Sequence, residues 1–273
     1  LHKAIRRQRQ MCIRDSIDSS DESSSDDEEE TTTTTYKLDG EDLDESTFTT
    51  FYNKLINMTA QERLTEEYTP EGDPAYTFIF KDTDGIILPG GFGDRGIEGM
   101  ISVATYARQK QIPYLGICLG MQIAAIAFAR SALGLKDANS FEFDPQSKHT
   151  IIDFMEDQSN DIRKGGTMRL GSYPCSLRAD TNIWSCYKKD MINERHRHRY
   201  EFNNEYRSEF ERNDMMIVGT SPDKQLVEAI EYKNHPFYIG VQYHPEFKSR
   251  PNRPHPLFVG LVKASLENRE SHK

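Results

Sequence analysis

The spacing of apolar residues changes several times along the chain, and each change predicts an element. Phe48, Phe51, Tyr52, Leu55 and Ile56 repeat as one face of an amphipathic helix. A polar stretch through Gly72 and Pro74 follows as a loop. Beyond it, short apolar runs alternate with helical spacing: strands at Tyr76–Phe80 and Gly85–Leu88, a helix at Ile97–Gln109, a strand at Ile112–Ile117 and a helix at Leu119–Leu133. Continuous apolar strands that alternate with helices predict an α/β fold, an open, mainly parallel sheet with helices on both faces. Further strands are expected at Ile183–Tyr187, Tyr200–Phe202, Gln225–Tyr232 and Phe237–Tyr243, and residues 256–267 form a closing helix. There is no internal repeat.

The N-terminal part lacks such a pattern. Residues 1–14 carry five bases, and RRQRQMCIRDS reads as translated adapter sequence; with Leu1 as the first residue, a fragment is expected. Residues 15–30 hold nine acids and six serines, and five threonines follow. Such a run buries too little apolar surface to offset chain ordering, which predicts disorder. A solvated linker is its ordinary meaning, a phosphorylated regulatory tail the alternative. The expected organisation is therefore a disordered or adventitious tail over 1–35, a helical lead-in or insertion over 36–75, and a folded domain over 76–273.

Composition then narrows the function classes. Of 273 residues, 44 are acidic and 34 basic, for a net charge of −10 and a mean hydropathy of −0.74. The acidic run carries nearly all of that excess, so the charge says little about partners of the folded part. Basic residues are not in excess, and nucleic-acid binding is not expected. No apolar run nears the roughly 18–20 residues of a membrane span, Ile123–Ala129 being too short, and no signal-peptide core is present. Four cysteines without a CxxC pair suggest neither a disulfide framework nor zinc, so a reducing, cytoplasmic setting is expected.

Three motifs carry chemistry. Gly116-Ile117-Cys118-Leu119-Gly120 joins an apolar strand directly to a helix, the thiol form of a nucleophile elbow. Its glycines permit a strained turn, and a helix N-terminus favours thiolate over thiol; the competing reading is a buried structural cysteine. Tyr243-His244-Pro245-Glu246-Phe247 follows another apolar strand. His244 then sits at the strand's C-terminal edge, with Glu246 available to orient its ring. Pro89-Gly90-Gly91-Phe92-Gly93 again follows a strand. A phosphate-cradling loop is one reading, although neither glycine-rich phosphate signature is satisfied; a backbone oxyanion site is the other.

In this order the three motifs resemble the class I (triad) glutamine amidotransferase family. Ala138-Asn139-Ser140-Phe141-Glu142-Phe143, Gly165-Gly166-Thr167-Met168-Arg169-Leu170-Gly171 and Glu194-Arg195-His196-Arg197-His198-Arg199-Tyr200-Glu201 are similar to its CTP synthase branch. The resemblance covers about residues 84–268. It implies that Cys118 attacks the carboxamide of L-glutamine, that His244 shuttles the proton, that Glu246 orients His244, and that the Gly91 and Leu119 N–H groups hold the oxyanion. It implies that Glu142 faces the substrate ammonium, Arg199 its carboxylate, and Gln122 a further substrate group. The Arg-His run could otherwise be a solvated strand or a nucleic-acid patch. Alternation would put His196 and His198 opposite Arg195, Arg197 and Arg199. Cys175 and Cys186 are expected to be packing residues.

The same resemblance implies a synthetase (amidoligase) domain outside this chain, where ATP with Mg drives amination of UTP. No cofactor or metal is expected in this part. GTP as an allosteric activator, with Arg95 contributing, and a homo-oligomeric full-length enzyme are also implied. Two other readings remain open: an inactive fragment that only binds or assembles, and a cysteine hydrolase acting on another amide. Glu142 and Arg199 speak against the second, because a peptide offers no free ammonium and carboxylate together.

Overall fold

The computed structural model describes residues 36–38, 41–43, 80, 83–93, 96–154 and 168–271. The chain divides into two compact units, Leu1–Lys54 and Leu55–Lys273. In the first, β1 (Tyr36–Leu38) and β2 (Glu41–Leu43) pair antiparallel. The expected helix at Phe48–Ile56, the tail over 1–35 and Arg95 lie outside the described residues. So does the expected strand at Tyr76–Phe80 except for Phe80, which is helical.

The second unit is built on a seven-stranded sheet. Its strands are β3 (Ile86–Leu88), β4 (Tyr114–Ile117), β7 (Arg169–Leu177), β8 (Met191–His198), β10 (Met215–Thr220), β11 (Val227–Tyr232) and β12 (Tyr238–Val241). They lie in the order β3-β4-β12-β11-β10-β7-β8. A smaller sheet holds β5 (Asn139–Ser140), β6 (Thr150–Phe154) and β9 (Tyr200–Phe202). The helices are α1 (Ile97–Gln109), α2 (Leu119–Ala132), α3 (Asn182–Tyr187), α4 (Arg207–Arg212) and α5 (Pro256–Ser271).

Two apolar layers explain the arrangement. Every residue of β4 and β12 is buried, and their side chains alternate between the layers. Tyr114 and Tyr238 point into the layer with Ile86, Leu88 and the apolar faces of α1 and α2. Leu115, Ile117, Ile239 and Val241 point into the other, with Ile183 of α3 and Leu257, Leu261 and Ala264 of α5. Helices therefore cover both faces, as expected. Strand β4 pairs parallel with both β3 and β12, whereas β11, β10, β7 and β8 extend the sheet antiparallel. The expected mainly parallel sheet is thus confined to the three strands that carry the chemical motifs. Beyond them, β7 with β8, β10 with β11 and β11 with β12 are consecutive strands paired antiparallel, which needs no crossover helix.

The expected strand at Ile183–Tyr187 is instead the helix α3. Glu231 on β11 supplies the reason: its carboxylate accepts from the Asn182 and Ile183 N–H groups, both at 3.0 Å. Thr181 Oγ1 accepts from Trp184 N–H at 3.3 Å, completing the N-cap.

Candidate active site

Strand pairing brings the three motifs to one edge. Gly116 lies in register with Leu88 on one side and Gly240 on the other, and Ile117 with Val241. All three strands run the same way, so Pro89-Gly90-Gly91, Cys118 and the turn carrying His244 leave the sheet at neighbouring C-terminal ends.

Cys118 is the N-cap of α2, with φ 51° and ψ −103°. A left-handed φ in a residue with a side chain is strained. It is held by the Cys118 N–H, which donates to Val241 O at 2.7 Å, and by the Cys118 carbonyl, which accepts from Met121 and Gln122 N–H at 3.1 and 3.2 Å. The thiol donates to Arg197 O at 3.9 Å and accepts from Gln242 Nε2 at 3.7 Å.

His244 is fixed on several sides. Its N–H donates to Arg195 O of β8 at 2.8 Å, its Nδ1 lies 2.6 Å from Glu246 Oε1, and its ring stacks on Phe247 with centroids 4.6 Å apart. A carboxylate against Nδ1 places the ring proton there and leaves Nε2 as the free base. Nε2 is buried and has no hydrogen-bond partner. Gly90 shows how close the two groups are: a Cβ added there would lie 3.4 Å from Cys118 Cβ and 2.9 Å from His244 Cε1. A Cβ on the next residue, Gly91, would lie 3.1 Å from Leu119 Cδ2, so the two residues expected to supply the oxyanion donors pack against each other.

The electrostatics differ from the sequence expectation. Burial pushes the Cys118 thiol up to about 12. The Leu119 N–H at the helix start works against this, as a helix N-terminus should, but Glu246, Glu201 and Glu142 add to the rise. Without substrate the sulfur is a protonated thiol, not the thiolate expected at the elbow, because burial outweighs the helix end.

The expected substrate-binding residues fall around this centre. Glu142 follows β5 and accepts from Gly93 N–H at 3.2 Å, tying it to the glycine-rich loop. Arg199 does not continue the alternation of β8. The strand buries His196 and His198, exposes Arg195 and Arg197, and ends at His198, so Arg199 sits in the bend beyond, half-buried, with Nε unpaired. Burial raises the Tyr200 hydroxyl; the charge of Glu142 adds to that rise and that of Arg199 opposes it. Gln122 lies deeper than expected: Nε2 donates to Tyr200 O and to Gln242 Oε1, both at 3.2 Å, leaving only its oxygen for a substrate. Cys175 is wholly buried and Cys186 half-buried, as packing residues should be. Sequence reasoning missed Gln242, Phe247 and Tyr200. The one signal for Gln242 was a polar residue interrupting the apolar run Tyr238–Tyr243.

A family model described as glutamine amidotransferase class-I matches residues 49–264, and the chain belongs to that family. It is similar to a CTP synthase of Clostridium beijerinckii, 58% identical over 193 residues, which cover 71% of this chain and 36% of the relative. For a CTP synthase of Fibrobacter succinogenes the figures are 56% over 222 residues, 81% and 38%. The chain thus spans somewhat over a third of the length of these curated relatives. Among solved structures, a Trypanosoma brucei CTPS glutaminase domain with bound acivicin matches with a TM-score of 0.67 and 31% identity, over 81% of this chain and 87% of that one.

Proposed function

We propose that this chain is the glutaminase part of a CTP synthase and releases ammonia from L-glutamine. The observation that carries this reading is the juxtaposition of Cys118 and His244 at Gly90, with Glu246 on the far nitrogen of the imidazole. Cys118 transfers its proton to His244 Nε2 as the sulfur attacks the carboxamide carbon. The Gly91 and Leu119 N–H groups stabilise the resulting oxyanion. The C–N bond then breaks, His244 gives its proton to the leaving ammonia, and a glutamyl thioester remains. Water, deprotonated by His244, hydrolyses the thioester to glutamate and restores the thiol. Glu246 keeps Nδ1 protonated throughout and stabilises the imidazolium. Glu142 and Arg199 pair with the ammonium and carboxylate of the substrate.

In the whole protein, the ammonia would reach a synthetase domain outside this chain, where ATP with Mg activates UTP for amination to CTP. Activation by GTP, a homo-oligomeric assembly and a cytoplasmic location belong to the same proposal. No helix among the described residues is long and apolar enough to cross a membrane.

Glutamate release from glutamine by the full chain, compared with Cys118→Ala, tests the reading. Turnover by the parent chain and its loss in the variant are expected. His244→Ala should lose about 10²–10⁴-fold in kcat and Glu246→Ala less, since the latter orients the base without moving the proton itself. A folded chain that releases nothing would point to a binding or assembly module. Release from other amides but not from glutamine would point to a different hydrolase.

A further inference from the structure

Resting on the reading of Cys118 as nucleophile, we propose that Gln242 is a positioning residue, its side-chain N–H locked onto the Cys118 sulfur by hydrogen bonds that begin at the Tyr200 carbonyl. The direction of this relay follows from chemistry. A backbone carbonyl only accepts, so Gln122 must present its nitrogen to Tyr200 O, 3.2 Å away. The second proton on that nitrogen goes to Gln242 Oε1, also at 3.2 Å. The oxygen of Gln242 is thereby occupied and its nitrogen turns toward Cys118 Sγ, at 3.7 Å. Rotating either amide would set two N–H₂ groups or two oxygens face to face in a dry interior, where an unmade hydrogen bond is costly. Both glutamines are buried, and the Gln242 N–H is itself tied to Glu228 O of β11 at 2.9 Å.

The sulfur needs such a donor. Glu246 and His244 face it from the turn after β12, Glu201 from β9 and Glu142 from the loop after β5; Arg197 O of β8 accepts the thiol proton. The three carboxylates and the Arg197 carbonyl all favour the neutral thiol. The Leu119 N–H and Gln242 Nε2 favour the anion, and a hydrogen bond to a charged acceptor is about twice as strong as one to a neutral acceptor. Gln242 therefore gains strength as Cys118 loses its proton. It neither takes nor gives a proton itself.

The test measures the rate of alkylation of Cys118 by iodoacetamide at about pH 8, read on the Cys118 peptide by mass spectrometry, beside kcat and KM for glutamine, all on the full chain. In Gln242→Met the alkylation rate should fall about three- to tenfold, as the thiolate fraction shrinks, and kcat should fall about tenfold, the scale of one hydrogen bond to a charged group. KM should stay within about twofold. Gln242→Glu should slow alkylation further, having added a fourth carboxylate. Gln122→Leu, which leaves residue 242 intact but unlocks its amide, should act in the same direction and carries the test should the 242 variants fail to fold. An unchanged alkylation rate in a folded Gln242→Met or Gln122→Leu overturns the proposal, even with reduced kcat, because a merely structural role would lower activity alone. A parent chain that hydrolyses no glutamine, but whose Cys118 alkylation rate still changes with residue 242, would sink the proposed function and leave Gln242 in its role.

Discussion

A Cβ on Gly116 would stand 2.5 Å from the carbonyl oxygen of Gly120, so the strand and helix that flank Cys118 touch backbone to backbone. Gly120 is confined in turn, since a Cβ there would overlap the Leu88 carbonyl of the neighbouring strand. The two glycines let α2 start close against β4 and β3, and this places Cys118 beside Pro89-Gly90-Gly91. Backbone atoms cannot move aside as a flexible side chain can. Gly116→Ala and Gly120→Ala should each cost about 3 kcal/mol of unfolding free energy, near the upper end of overpacking effects, together with turnover. Gly99, in the first turn of α1, has nothing within 4 Å of an added Cβ; Gly99→Ala should raise stability by about 0.5–1 kcal/mol. Urea unfolding of the three variants checks the contrast in sign.

Glu142 does two things that a pair of substitutions separates. Its carboxylate bonds the Gly93 N–H and supplies charge for a substrate ammonium. Glu142→Gln keeps an acceptor for Gly93 and removes only the charge, so KM for glutamine should rise about tenfold or more with kcat little changed. Glu142→Ala removes both, and kcat should fall as well because the oxyanion loop loses its anchor. Arg199→Ala should follow the first pattern. Steady-state kinetics decide, and an unchanged KM in Glu142→Gln or Arg199→Ala would remove that residue from substrate binding.

His235 sets a pH dependence whose sign follows from its bonds. Nε2 donates to Ala107 O at 3.2 Å and Nδ1 accepts from Phe237 N–H at 3.1 Å, so the ring is neutral in the fold. Burial is the main cause of its pKa falling to about 4. Between about 6.5 and 4 the unfolded chain takes up a proton that the folded chain refuses, so this residue's contribution to stability is present above that window and is lost as pH falls. The loss is about 1.4 kcal/mol per pH unit. The gap in unfolding free energy between the parent chain and His235→Gln should shrink at that rate from pH 6 to pH 5; His196, His198 and Glu228 titrate in both proteins and cancel. A gap independent of pH would contradict the neutral buried ring.

How much could be read in advance depended on how local the cause was. Helix α1 spans the expected residues, and α2 starts at the expected Leu119, because the stripe of apolar residues and the flanking glycines lie within the segment itself. That Cys118, His244 and Glu246 lie at one edge was legible for a similar reason: each comes within a few residues of the end of an apolar strand, and parallel pairing brings strand ends of one kind to one edge. α3 was not legible. Its residues look like a strand, and the carboxylate that caps it comes from Glu231, some fifty positions along the chain. The direction of Arg199 was not legible, because alternation holds only while a strand lasts, and β8 stops one residue earlier.

The protonation of Cys118 marks the boundary most clearly. The sequence by itself determined that a cysteine would stand at a strained turn in front of a helix, since two glycines and an apolar strand require nothing beyond their neighbours. Whether that sulfur is charged was decided only by the tertiary structure. Burial and three carboxylates from distant segments outweigh the helix end, and Gln242 and His244 reach the sulfur only after β4 and β12 have paired.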